Sequence, residues 1–98
     1  MKITKEMTND TLTLKLEGRL DTVTAPELDK ELDSSMSGVN QMVLDLADLD
    51  YISSAGLRVV LKAHKYMSDK GGLKVIHACE MVQEVFSVTG FDEILDIE

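Results

Sequence analysis

Short apolar runs alternate with amphipathic stretches along the whole chain, and this alternation restricts the fold more than any other feature of the sequence. Residues 3–7 and 12–16 switch between apolar and polar side chains, the period of half-exposed strands. Asn9-Asp10 between them suits the left-handed backbone of a tight hairpin, and Gly18 is expected to end the second strand. Thr24-Ala25-Pro26-Glu27 reads as a helix start, with Thr24 as cap, Glu27 reaching back, and Pro26 in a first turn where a missing N–H costs little. Leu28, Leu32 and Met36 give that helix one narrow apolar stripe, and Gly38 stops it. Residues 41–46 look like a central buried strand, with a loop over 47–52. A helix over 54–68 follows, with Leu57, Val60, Leu61, His64 and Met67 on one face and Gly71-Gly72 as its C-terminal cap. Residues 73–78 read as a strand, and 80–89 as a helix with Val82, Val85 and Phe86 inward and Gly90 as its stop. Residues 94–97 complete the chain as an edge strand.

The order β-β-α-β-α-β-α-β predicts an α/β domain built on a mixed, mostly parallel sheet of about five strands with right-handed crossover helices. A chain of 98 residues holds one such domain, residues 1–98. The net charge of −8 repels phosphate backbones and argues against nucleic-acid binding as the main role. No apolar run approaches the ~20 residues of a membrane span, and residues 1–6 lack a signal-peptide core, so a cytoplasmic protein is expected. Cys79 is the single cysteine, and His77-x-Cys79 is too sparse for a zinc site. No metal or cofactor is expected.

The segment richest in chemical information is Asp45-Leu46-Ala47-Asp48-Leu49-Asp50-Tyr51-Ile52-Ser53-Ser54-Ala55-Gly56-Leu57. A buried strand ends, and two serines stand at the mouth of a helix, where α/β proteins place ligand and partner sites. A helix N-terminus offers unpaired amides and a partial positive charge that a phosphate on a serine hydroxyl would meet. Serine before a helix is most often only a cap, but a cap needs one serine and here there are two. Gly56 in the first turn costs ~0.5–1 kcal/mol relative to alanine, which points to a backbone or a bulky partner in close approach.

Val43-Leu44-Asp45-Leu46 with Tyr51-Ile52-Ser53-Ser54-Ala55-Gly56-Leu57 resembles the signature of the STAS domain family, specifically the bacterial anti-sigma factor antagonists. Gly18-Arg19-Leu20-Asp21 before a capped helix containing Glu27-Leu28, and the late Val88-Thr89-Gly90-Phe91, are similar to further parts of that pattern, so the likeness covers essentially the whole chain. The resemblance implies a regulatory binding protein rather than an enzyme, switched by phosphorylation of Ser54, two residues before the glycine. It implies two partners: an anti-sigma factor with serine kinase activity, which the unmodified antagonist binds to free a sigma factor, and a metal-dependent serine phosphatase. Asp21 is expected near Ser54, and Asp21, Ser53, Ser54, Gly56, Leu57 and Arg58 are the candidate partner-binding residues. Many family members carry aspartate where this chain has Ser53, and a second Ser or Thr where it has Ala55. The alternative is a STAS module of another signalling or transport complex, without a phosphoswitch.

Other readings are weaker. Arg58, Lys62 and Lys65 form a cationic stripe, either a solvated helix face or a contact for an acidic partner. Ser54, His64 or His77, and Asp21 hold the atoms of a hydrolase triad, but there is no Gly-x-Ser-x-Gly elbow. His64 would also lie roughly 15 Å down the helix from Ser54, too far for the contact a triad needs.

Overall fold

The computed structural model describes all of residues 1–98. Asn9 adopts the left-handed conformation (φ 56°) and closes a tight hairpin between β1 (Lys2–Thr8) and β2 (Thr11–Leu20), which run antiparallel with Thr8 opposite Thr11. The chain continues as α1 (Ala25–Ser35), β3 (Gln41–Ile52), α2 (Ser54–Met67), β4 (Leu73–Ile76), α3 (Glu80–Thr89), a 3-10 turn at Phe91–Glu93 and β5 (Asp96–Ile97). The strands lie in the order β1-β2-β3-β4-β5, and β2 through β5 are mutually parallel. This is the expected mixed five-stranded α/β sheet. Right-handed crossovers that always step in the same direction place all three helices on one face.

Burial matches that arrangement. Leu12, Leu14 and Leu16 of β2 and Met42, Leu44 and Leu46 of β3 are buried, while Lys15 and Glu17 between them stay exposed. One sheet face therefore carries the helices and the other faces solvent. The core cluster of 25 residues includes no buried polar or charged side chain, so apolar packing holds the layers together without buried ion pairs.

The two middle strands run further than their alternation suggests. Gly18 does not end β2; with φ 105° it sits at a register shift inside the strand, which continues to Leu20. The expected loop over 47–52 is the second half of β3. Its buried residues Leu46, Leu49 and Ile52 come at every third position, because an extra residue is accommodated on β3 at each of two shifts against β2. Polar Asp48 and Asp50 at those points make the stretch look like a loop.

Smaller differences lie at strand and helix ends. β4 stops at Ile76, and His77 takes a left-handed φ of 62°. β5 shrinks to Asp96–Ile97 because residues 91–93 form the 3-10 turn. On α2, Val59 and Ala63 are buried where Leu61 and His64 were expected, and those two are only partly covered. Phe86 is fully buried under α3. Phe86→Ala is expected to destabilise the domain by roughly 3–5 kcal/mol, read as a shift in the midpoint of urea unfolding.

Candidate functional site

The site is built where β2 and β3 end side by side. Leu20 pairs with Ile52, and the Ser53 amide donates to the Leu20 carbonyl at 2.9 Å. β3 passes straight into α2 at Ser53, whose extended backbone makes it the helix cap. The Ser53 hydroxyl accepts from the Gly56 amide at 3.4 Å, and its carbonyl accepts from the Leu57 amide at 2.9 Å. Ser53 thus performs the capping, and Ser54, the first helical residue, is exposed and left out of the cap.

Gly56 is explained inside the chain. A Cβ there would stand 2.7 Å from Leu20 Cγ, 2.9 Å from the Leu20 carbonyl oxygen and 3.0 Å from Ile52 Cγ1. The close neighbour is the end of β2, not a partner. Leu57 is 5% exposed and belongs to the core. Gly56 and Leu57 are therefore corrected from surface contacts to packing residues, because the first turn of α2 is pressed onto the ends of two strands. Gly56→Ala gains helix propensity but forces atoms below contact distance. A net loss of about 1–3 kcal/mol is expected in chemical denaturation, and a stabilised variant would refute the packing argument.

Asp21 lies at the head of the neighbouring turn, and its carboxylate is directed inward along the chain. Oδ1 accepts from the amides of Val23 at 3.0 Å and Thr24 at 3.1 Å. Oδ2 lies 3.7 Å from Arg19 Nε, and the Arg19 guanidinium stacks 4.3 Å over the Tyr51 ring. Thr24 does not cap α1 with its side chain, contrary to the capping box read from the sequence. Its hydroxyl donates to the Arg19 carbonyl at 2.7 Å and accepts from the Asp21 amide at 2.8 Å. Asp21 takes the Thr24 amide that Glu27 was expected to serve, while the Glu27 amide donates to the Thr24 carbonyl at 2.9 Å. The pattern Asp-x-x-Thr is the sequence signal for this turn. Arg19, Tyr51 and Thr24 join the site as supports that sequence reasoning passed over.

The Thr24 amide is the largest influence on the Asp21 carboxyl and lowers its pKa. Partial burial opposes it, while the Val23 amide, the Thr24 hydroxyl and the Arg19 charge reinforce it. A carboxyl depressed on folding stabilises fully above its unfolded pKa of about 3.9 and loses that contribution as pH falls through the folded value. Asp21→Ala is expected to lower the urea midpoint at pH 7, with the gap to the parent protein closing at pH 3. A gap of equal size at both pH values would contradict this role.

Arg58 is exposed beside Ser54, as expected. The cationic stripe is broken, however. Lys62 lies between Asp29 and Asp33 of α1, with the Asp33 carboxylate at 3.1 Å, and these two carboxylates raise its pKa. Neither histidine serves Ser54. His77 Nδ1 pairs with Asp45 Oδ1 at 2.9 Å, and His64 Nδ1 is buried without a hydrogen-bond partner. A cavity of about 450 Å³ lies at the far end of the sheet, among Gln41, His64, Ser68, Leu73, Lys74 and Ile94, and is separate from this site. No group of three or more His, Cys, Asp or Glu side chains is placed to hold a metal ion, and no helix is long and apolar enough to cross a membrane.

A strand end, a capped helix start and an exposed serine thus lie together at one end of a five-stranded α/β sheet. The STAS domain family profile matches residues 2–98, and the chain belongs to that family. BtrV of Bordetella bronchiseptica, which bears the name of an anti-sigma factor antagonist, is 40% identical over 99% of this chain and 85% of its own. The anti-sigma-B factor antagonist of Bacillus subtilis is 30% identical over 95% of this chain and 85% of its own. Among solved structures, the anti-sigma factor antagonist SpoIIAA in its unphosphorylated form superposes with a TM-score of 0.84 at 19% identity, covering 99% of this chain and 88% of that one. The phosphorylated form of SpoIIAA, from Bacillus, gives 0.76 at 18% identity, over 99% and 91%.

Proposed function

We propose that this protein is an anti-sigma factor antagonist whose docking end is the start of α2, and that phosphorylation of Ser54 turns docking off. The observation that carries the reading is the division of labour between adjacent serines: Ser53 caps the helix and Ser54 stays exposed. The names of the Bordetella and Bacillus relatives support the antagonist role. The partner is an anti-sigma factor with serine kinase activity; binding it frees a sigma factor. That kinase transfers the γ-phosphoryl group of ATP to Ser54 Oγ, with loss of the hydroxyl proton and release of ADP. A metal-dependent phosphatase hydrolyses the ester and restores binding.

Electrostatics make such a switch local. Phosphate adds about −1.5 to −2 charges at pH 7. The helix N-terminus offsets part of this, worth roughly 0.3–1 kcal/mol at an exposed position, so the fold survives modification. A partner packed on the same surface meets new bulk, together with charge added to that of Asp21 and Asp50. A loss of ~3 kcal/mol in binding lowers affinity more than a hundredfold.

Ser54→Ala is expected to bind the cognate anti-sigma factor with the affinity of the unmodified protein and Ser54→Asp much more weakly, measured by calorimetric titration. Equal affinities for the two variants would defeat the switch. Incubation with the kinase, ATP and magnesium should add one phosphate at Ser54 by mass spectrometry. The presence of Ser53 where many family members have aspartate favours the second reading, a binding module without a phosphoswitch. A chain that binds but takes up no phosphate would establish that reading.

A further inference from the structure

Val82 and Phe86 are buried and anchor α3 to the core. A second apolar row, Met81, Val85 and Val88, follows at the i, i+4, i+7 spacing of one helix side. Val85 is half-buried, but Met81 is 52% and Val88 80% exposed. The row borders a shallow open groove of about 330 Å³, which Glu84 and Thr89 complete. Every residue of that lining comes from α3, and none is a Lys or Arg. Apolar side chains left bare on consecutive turns of one helix mark a contact that the chain alone does not make.

The charge around this row has one sign. After Lys74 the chain has six Asp and Glu residues and no Lys or Arg, so its last quarter carries six of the eight net negative charges. Glu98 is paired with Lys74 at 2.6 Å. Glu80, Glu84, Asp92 and Glu93 are exposed and form no ion pair. The last turn of α3 has no basic residue, and the 3-10 turn that follows sets Asp92 and Glu93 beside the negative end of the helix dipole. Carboxylates there are unfavourable by themselves, and cations from outside the chain relieve them.

We propose that this side of α3 docks a basic amphipathic helix of another protein. Its apolar residues lie against Met81, Val85 and Val88, and its lysines or arginines face Glu80, Glu84, Asp92 and Glu93. The surface shares no residue with the Ser54 site, and the proposal does not depend on the function given above. Met81 to Val88 covers about 10 Å of helix rise, which two turns of a partner helix match. Apolar contact supplies the affinity and the charges set orientation and partner choice. A second copy of this chain does not fit, since pairing two such faces sets carboxylate against carboxylate without a counter-charge.

The test is an NMR titration of the isotope-labelled full chain with a designed helical peptide of about four turns, built of leucine and lysine with the leucines on one face. Two control peptides accompany it: the same residues shuffled so that the leucines no longer share a face, and the same spacing with glutamate in place of lysine. Amide shifts are expected between residues 80 and 93 with the first peptide and little change with the controls. Val88→Asp is expected to weaken binding about tenfold and Glu84→Lys about threefold, with thermal melts like the parent's because both side chains are exposed. Added salt should weaken binding, and Ser54→Asp should bind as the parent does. Equal shifts from the shuffled peptide, binding that survives Val88→Asp, or shifts centred on acidic residues elsewhere, such as Asp29 and Asp33, would overturn the proposal. Sedimentation that reveals a dimer dissolved by Val88→Asp would assign the face to self-association and overturn it as well.

Discussion

The arrangement depends on one close approach: the first turn of α2 lying directly on the ends of β2 and β3. Gly56 makes it possible, since any Cβ would collide with the Leu20 carbonyl. The hydrogen bond from the Ser53 amide to that carbonyl fixes it. Because the helix starts so near the strand end, no loop intervenes between β3 and the cap, and the Ser54 backbone is held in the first turn of α2. The same contact places the Asp21 turn alongside. The switch proposed at Ser54 depends on this fixed backbone, since a phosphate on a loose segment could swing clear of a docked partner.

β3 reaches that contact with two extra residues relative to β2. A regular strand buries every second side chain, and Met42, Leu44 and Leu46 do so. Beyond Leu46 the buried positions fall at every third residue, and each register shift bends and twists the strand. Two such bends turn the end of β3 so that Leu49 and Ile52 still face the helices while Asp48 and Asp50 remain in solvent. Pairing with β2 persists to Leu20 opposite Ile52, so the bends do not loosen the platform under α2.

Where side-chain period and turn chemistry agree, the sequence is readable. The Asn9-Asp10 hairpin, the Leu28–Leu32–Met36 stripe, the full extent of the third helix and its left-handed Gly90 stop all follow from local rules. The five-stranded order follows from the alternation of elements. What escapes is set by contacts distant in sequence. A strand with period three looks like a loop until its partner strand is known. A glycine that makes room for Leu20 looks like one that makes room for a partner. The capping box fails for a nearer reason: the Thr24 hydroxyl is held by the Arg19 carbonyl and the Asp21 amide, and the Asp21 carboxylate takes the Thr24 amide. Lys62 reads as part of a cationic face until α1 brings Asp29 and Asp33 against it.

With all helices on one face, apolar surface is consumed in a single core, and the far face carries charged pairs such as Lys15 with Glu6. Exposed pairs of this kind contribute little to stability and leave that face free to vary. Gly56 and Leu57 are packed against the ends of β2 and β3. What is exposed there is the start of α2 with Ser54 and the adjoining turn that follows β2. Under the proposed switch, a phosphate on Ser54 adds about −1.5 to −2 charges to this small end of the domain.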